Sequence, residues 1–414
     1  MMKTLLFNPA SIVTVDTSGK NSKRRKELSE INCLNDHSIV FEEDIIKDII
    51  PTSSINKIKY DKIIDVTNKT VLPGLVECHT HTAFAGSRAD EFRQKLNGVG
   101  YEEIAIKGGG INTTVLAVRK ASFEELVNII KPRIDYFISQ GITTLEIKSG
   151  YSLDFENERK LLQLINFLNE IYPIEIVPTF LGAHTFPNEN RDNHQAYVDE
   201  IIDKMIPHFA EQKLAEFCDG FCEATAFSAE EIDQIFTAAK KNGLKLRLHT
   251  EQFNTIGGLD VALKHKAVSV DHLEVITDSD IPKLGNTDTV AVLLPGVSFF
   301  LNHKYAPARK LIEQNAIVAL ATDYNPGSSH ISSLSFIMSL AALKMGMTIE
   351  ETISAVTINS AKALCREKSI GSIEIGKKAD FALFNTQDYA DIVYSIGKNL
   401  NCMTIKNGRI VFQN

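Results

Sequence analysis

Beyond its first seventy residues the chain settles into a repeating pattern: short runs rich in Val, Ile and Leu, each followed by a stretch with apolar positions at helical period. Read as buried strands and amphipathic helices, the runs predict strands at Leu75–His81, Thr143–Ile147, Glu175–Phe180, Gly220–Ala224, Lys245–His249, Ser269–His272, Val290–Leu294 and Ile317–Ala321. Eight is the number that closes a parallel barrel. Helices are predicted over Phe123–Ser139, Asn157–Ile171, Glu230–Asn242 and Ile256–Lys264, with Pro132 expected to kink or split the first and Ser228–Glu231 fitting a capping box. Two more helical stretches, Ile331–Met345 and Ile349–Cys365, follow the eighth strand.

The two chain ends read differently. Thr4–Phe7, Ser11–Val15, Ser38–Phe41 and Lys57–Val66 alternate with polar turns, and the tail turns β-like again through Ile370–Asp380, Phe381–Phe384 and Arg409–Phe412. The expected architecture is α/β: a (β/α)8 TIM-type barrel over residues 73–367 beside a small composite β-sandwich domain built from residues 1–72 and 368–414. A chain of 414 residues with 44% hydrophobic content is long enough for both.

Composition then removes several classes of function. The net charge of −8 argues against nucleic acid as a partner. The one basic run, Lys20 to Lys26, lies among Ser, Asn and Glu and reads as a solvated loop. No stretch reaches the roughly 20 apolar residues that span a bilayer, and Asn8-Pro9 interrupts the N-terminal apolar run before a signal-peptide core develops, so a cytoplasmic location is expected. Six cysteines are too sparse for a disulfide framework; Cys218 and Cys222 have a spacing that could serve a metal, but without a second pair they read as core residues.

The chemistry begins in Leu72-Pro-Gly-Leu-Val-Glu-Cys-His-Thr-His81. Side chains two apart on an extended strand share a face, so His79 and His81 can share a metal ion. In a parallel barrel the working groups sit where strands end. That position is also held by His249, which closes the fifth run, and by Asp323, just past the eighth. Three nitrogens and a carboxylate suit Zn²⁺ or Fe²⁺, with water completing the shell. Any one strand-end histidine taken singly has an ordinary reading as a hydrogen-bonded structural residue. Other polar groups at strand ends are Glu146 and Lys148 with Tyr151, His184, Glu251 and Gln252, Asp271 and His272, and Asn325.

The segments PGLVECHTHTAFAGSR, IKSGYSLD, TFLGAHTFP, LHTEQF, VDHLE and ATDYNPGS together resemble the amidohydrolase superfamily, and within it the branch that opens the imidazolone ring in histidine degradation. The resemblance covers nearly the whole chain. It implies one metal ion per chain, Zn or Fe, held by His79, His81, His249 and Asp323, and a homodimer, the usual assembly of that branch. It further implies that Arg88 pairs with the substrate's propionate, that Tyr151 and His184 contact the ring, and that Asn325, Gly327 and Ser328 line the far side of the pocket. Arg88 could instead form an ion pair with Asp90 or Glu91, and Tyr151 and His184 could be core hydrogen-bonding residues. The implied reaction is hydrolysis of the ring C–N bond of 4-imidazolone-5-propanoate to N-formimidoyl-L-glutamate. Asp323 would accept the proton of the attacking water, whose pKa a bound metal lowers from about 15.7 to roughly 7, and His272 would stabilise the oxyanion or exchange a proton.

Gln252 departs from the pattern, since related deaminases and some members of the resembled branch carry a carboxylate there; a neutral amide binds but cannot act as a base, with Glu251 as the alternative carboxylate. The fourth strand offers no lysine to bridge two metals, and Lys148, on the second, reads as a salt-bridge residue. Gly108-Gly-Gly110 matches no phosphate loop and reads as a mobile segment that could cover the pocket. A deaminase or other cyclic-amide hydrolase on the same barrel and a non-catalytic relative are the competing readings. The first is disfavoured by Gln252 and Arg88, the second by the presence of all four ligands.

Overall fold

The computed structural model describes residues 2–56, 59–98 and 110–414. Eight strands form one sheet in sequence order: Leu75–Glu77, Ile142–Lys148, Glu175–Ala183, Phe217–Cys222, Lys245–Thr250, Ser269–His272, Val290–Leu293 and Ile317–Leu320. Every neighbouring pair is parallel. Near-continuous apolar runs are what such strands need, because helices cover one face and barrel-interior side chains the other. The first and last strands meet just past their ends. There Thr80 bridges Tyr324 in parallel, the His81 amide donates to the Tyr324 carbonyl at 3.0 Å and the Asp323 amide to the His79 carbonyl at 3.1 Å. The seam of the barrel is thus made by the segments that carry two histidines and an aspartate of the candidate site.

Both chain ends contribute to a pair of sheets beside the barrel. One has four strands, Ile45–Pro51, His37–Glu42, Lys3–Phe7 and Lys62–Asp65; the other has six, drawing Arg409–Gln413, Asn401–Lys406 and Phe381–Phe384 from the tail and Thr70–Pro73, Ser11–Val13 and Cys33–Leu34 from the start. Leu6, Ile39 and Phe41 of the first pack on Val71, Phe381 and Ile405 of the second in one buried cluster, so the sheets lie face to face. The strands Ile45–Pro51 and Asn401–Lys406 were not predicted, and Ile370–Asp380 forms turns rather than a strand. Of the predicted run Lys57–Val66, residues 57 and 58 lie outside the described residues and the strand occupies Lys62–Asp65. The chain passes from this unit into the barrel at Gly74. A Cβ there would lie 2.3 Å from the Thr143 hydroxyl oxygen, so only glycine permits the approach.

Three other expectations are corrected. The helix Phe123–Ser139 runs unbroken through Pro132, since Asn128, whose carbonyl loses its helical donor, is exposed and can bond water. The stretch Ile349–Cys365 is two helices, Ile349–Ala355 and Ile358–Ala363; at the break the Val356 carbonyl accepts the Val76 amide of the first barrel strand at 3.0 Å. The basic run is no simple solvated loop. Lys23 is buried, donating to the Glu30 carbonyl at 2.7 Å, and Arg24 donates to the Asn315 and Thr287 carbonyls at 2.9 and 2.7 Å, docking the segment on the barrel. Cys218 and Cys222 are free thiols buried in the core.

Candidate metal centre and active site

At the C-terminal mouth of the barrel four side chains converge. The Nε2 atoms of His79 and His81 each lie 3.3 Å from Oδ1 of Asp323, and Nε2 of His249 lies 3.3 Å from Nε2 of His81. All four residues are at least 97% buried. Among the described residues, His79 Nε2 and Asp323 Oδ1 have no hydrogen-bond partner. Buried polar atoms left unpaired are costly. Two orphans facing each other within a set of nitrogens and a carboxylate fit a divalent metal ion, which would be their common partner. His79, His81 and His249 also satisfy the mutual spacing such an ion requires.

The first strand ends at Glu77, earlier than predicted, yet the alternation argument survives in outcome because the seam continues the extended pairing past Thr80. Asp323 follows the eighth strand in left-handed backbone, φ 49°, as does Glu251 at φ 58°, and His272 sits at φ 90°. Such backbone costs on the order of 1–3 kcal/mol per residue and collects where function demands a particular aim. Since the fifth strand stops at Thr250, strand alternation does not decide where Glu251 and Gln252 point. The amides of Gln252, Phe253 and Asn254 all donate to Oε1 of Glu223, at 3.0, 2.8 and 3.2 Å, which fixes this loop.

Beneath the ligands lies a layer of paired charge. Asp271 Oδ2 accepts His79 Nδ1 at 2.7 Å and Arg247 Nη2 at 2.9 Å. Asp219 Oδ1 accepts His249 Nδ1 at 3.0 Å while its Oδ2 accepts Lys148 Nζ at 2.8 Å, and Lys148 also donates to Glu146 at 2.8 Å. Each Nδ1 is thereby occupied, which aims Nε2 at the centre. Burial drives both aspartates upward in pKa, but His249 with Lys148, and Arg247 with His79, outweigh it and hold the carboxyls well below their ordinary value. Lys148 is a salt-bridge residue, as its position implied. Glu77, wholly buried, is pushed up to about 8 by desolvation against the amides of His79 and Thr322 that bond it.

Asp219 and Arg247 escaped the sequence reading. The fourth strand was placed three residues late, which left Asp219 outside it, and Arg247 sat inside an apolar run. A signal existed: a charge two residues before a strand-end polar residue shares its face, as Arg247 does with His249 and Glu146 with Lys148.

Tyr151, His184, His272 and Asn325 lie beside this centre. Tyr151 lies 5.7 Å from the His81 ring and 5.3 Å from that of His184, between centroids; His184 stacks on His81 at 5.2 Å and bonds the Gly150 carbonyl through Nδ1 at 2.9 Å. Burial, then the neighbouring His81, lowers His184 to about 3, so it is neutral at physiological pH. The loop carrying Tyr151 is held by Glu158, which accepts the amides of Gly150, Ser152 and Leu153. Asn325 donates to Asp323 Oδ2 at 3.0 Å while its Oδ1 accepts the amides of Gly327 and Ser328 at 2.8 and 2.7 Å. His272 bonds Glu274 through Nδ1 at 3.3 Å, and its ring lies 5.5 Å from that of His249. Arg88 pairs with Glu91 and not with Asp90, which pairs with Arg93; it does so buried, against the backbone of Gly327. Gly108 and Gly109 lie outside the described residues, and Gly110 precedes the helix Ile111–Lys120.

The model of the amidohydrolase family matches residues 70–411, and the chain belongs to that family. Within it, the chain is 42% identical to the imidazolonepropionase of Alkaliphilus metalliredigens, over 99% of this chain and 98% of that protein. It is 41% identical to the imidazolonepropionase of Clostridium tetani over the same shares. Among solved structures, the triazine hydrolase from Arthobacter aurescens superposes with a TM-score of 0.73 at 15% identity, covering 100% of this chain and 95% of that one. A zinc-bound adenosine deaminase from Xanthomonas campestris does so with 0.72 at 15%, covering 100% and 93%. These two show the fold alone.

Proposed function

We propose that the protein hydrolyses the ring C–N amide bond of 4-imidazolone-5-propanoate, giving N-formimidoyl-L-glutamate. The observation that carries this reading is the likeness to imidazolonepropionases over 99% of the chain. The metal is one zinc or iron ion per chain on His79, His81, His249 and Asp323, a donor set that accepts either. When bound, it supplies Lewis acidity and a water that is ionisable near neutrality.

The chain's own residues then have separable tasks. Arg88 binds the propionate, and Tyr151 and His184 flank the ring. Asn325 holds the turn that brings Gly327 and Ser328 to the pocket and steadies the Asp323 carboxylate. Asp323 accepts the proton of the water that attacks the ring carbonyl carbon. His272, its Nδ1 engaged by Glu274, offers its other nitrogen to the oxygen on which negative charge develops. Collapse breaks the C–N bond and the departing nitrogen takes up a proton. Gln252 can hold a ring nitrogen by hydrogen bonding but transfers no proton. The homodimer is carried over from the family resemblance.

The test is to supply the purified protein with imidazolonepropionate and follow loss of the ring chromophore alongside metal analysis. Turnover that stops on chelation and returns with added zinc or iron is expected. A metal-replete protein that leaves the chromophore intact would refute the reading.

A further inference from the structure

We propose that Glu91 positions Arg88, holding one edge of its guanidinium so that the other edge is presented to the substrate's carboxylate; this rests on the reading of Arg88 as the carboxylate-binding residue. A guanidinium is a rigid planar fork of five N–H donors. Oε2 of Glu91 takes the edge formed by Nε and Nη2, at 2.8 and 2.7 Å. The second edge, Nη1 with the outer hydrogen of Nη2, is the one suited to a bidentate carboxylate. Nη1 lies over Gly327, where a Cβ would come within 2.0 Å of it. Gly327 in turn donates its amide to Asn325, and Asn325 donates to Asp323, so the backbone that this edge packs against is joined by two hydrogen bonds to the candidate metal centre.

Glu91 cannot swing freely, because its Oε1 accepts the Gly110 amide at 2.8 Å. The pair is also largely out of water, with side chains only 8% and 11% exposed. A solvent-facing ion pair three residues apart does little to fix geometry; this one is desolvated and anchored at a third point. Without it, Arg88 would have several rotamers from which to reach a carboxylate, and binding would bear the cost of selecting one.

The alternative is that Glu91 competes with the substrate for Arg88, and the two accounts predict opposite signs. Steady-state kinetics are measured with imidazolonepropionate and with its propionamide, which lacks the charge Arg88 reads. With Glu91→Ala, KM for the acid is expected to rise about tenfold while kcat changes by less than about threefold, and the preference for acid over amide to shrink accordingly. Glu91→Gln, which retains an acceptor oxygen, should recover part of the loss, and it carries the test if the alanine variant does not fold. The double variant Arg88→Ala/Glu91→Ala should be no worse than Arg88→Ala, since both remove one interaction. A KM that is unchanged or lower in both Glu91 variants, with KM still raised in Arg88→Ala, overturns the positioning role and leaves Arg88 in place. An unchanged KM in Arg88→Ala removes Arg88 from the site and the proposal with it.

Discussion

The two walls of the candidate site are built by different means. On the metal-facing wall His79 and His249 are each oriented by a buried aspartate, and each aspartate is neutralised by a buried cation, Arg247 or Lys148. On the substrate-facing wall, carboxylates and an amide gather backbone N–H groups: Glu158 under Tyr151, Glu223 under Gln252, Asn325 under Gly327 and Ser328. Ion pairs inside the barrel lock side chains that grow from strands, whereas hydrogen bonds to backbone lock loops. Damage to the first wall should therefore spread through linked charges. Damage to the second should stay local.

Four substitutions probe that contrast. Asp323→Asn is the most severe, because it alters the proposed metal donor and removes the proposed proton acceptor together; kcat should fall by about a thousandfold or more, well beyond any change in KM. A defect confined to KM would remove the proton-accepting role. Asp219→Ala loses the acceptor that aims His249 but leaves Lys148 paired with Glu146. Metal affinity should drop by roughly 10–100-fold, with activity restored by excess metal in a titration; wild-type affinity would show that this wall does not depend on its buried charge.

Gly327→Ala tests the substrate wall. The added methyl must displace Arg88, so KM should rise by about tenfold with metal content unchanged, and a loss of metal as well would show that the walls are not independent. The smallest effect concerns acid. Burial, then the neighbouring His81, lowers His184 to about 3 in the folded state, below the ordinary histidine value of about 6.5. Between those values the unfolded chain binds the extra proton, so this residue's contribution to stability is present above about 6.5 and is lost as pH falls towards 3. His184→Asn should flatten the decline of urea midpoints across that window; an unaltered profile would exclude His184 as a source of acid sensitivity.

Much of the frame was legible before any coordinates. All eight barrel strands were located, because a doubly buried parallel strand writes itself as an apolar run, and the four candidate metal ligands stood out because they end or follow such runs. Edges and partners were harder. The strand Asn401–Lys406 is interrupted by Asn, Thr and Lys that bond within the protein, and so does not look buried in sequence; Lys406 pairs with Asp380 at 2.8 Å. Lys23 and Arg24 were read as solvated since nothing local announces that carbonyls from distant loops will receive them.

Local pattern by itself determined the order of strands, the closure number and the residue types offered at the barrel mouth, since periodicity and strand-end position are properties of neighbours in the chain. Pairing across the barrel was decided only in three dimensions: which aspartate turns which histidine, which cation compensates it, and that Glu91 rather than Asp90 takes Arg88. Those choices depend on distances of about 3 Å between residues as many as 192 positions apart, His79 and Asp271 among them, and no periodicity encodes them.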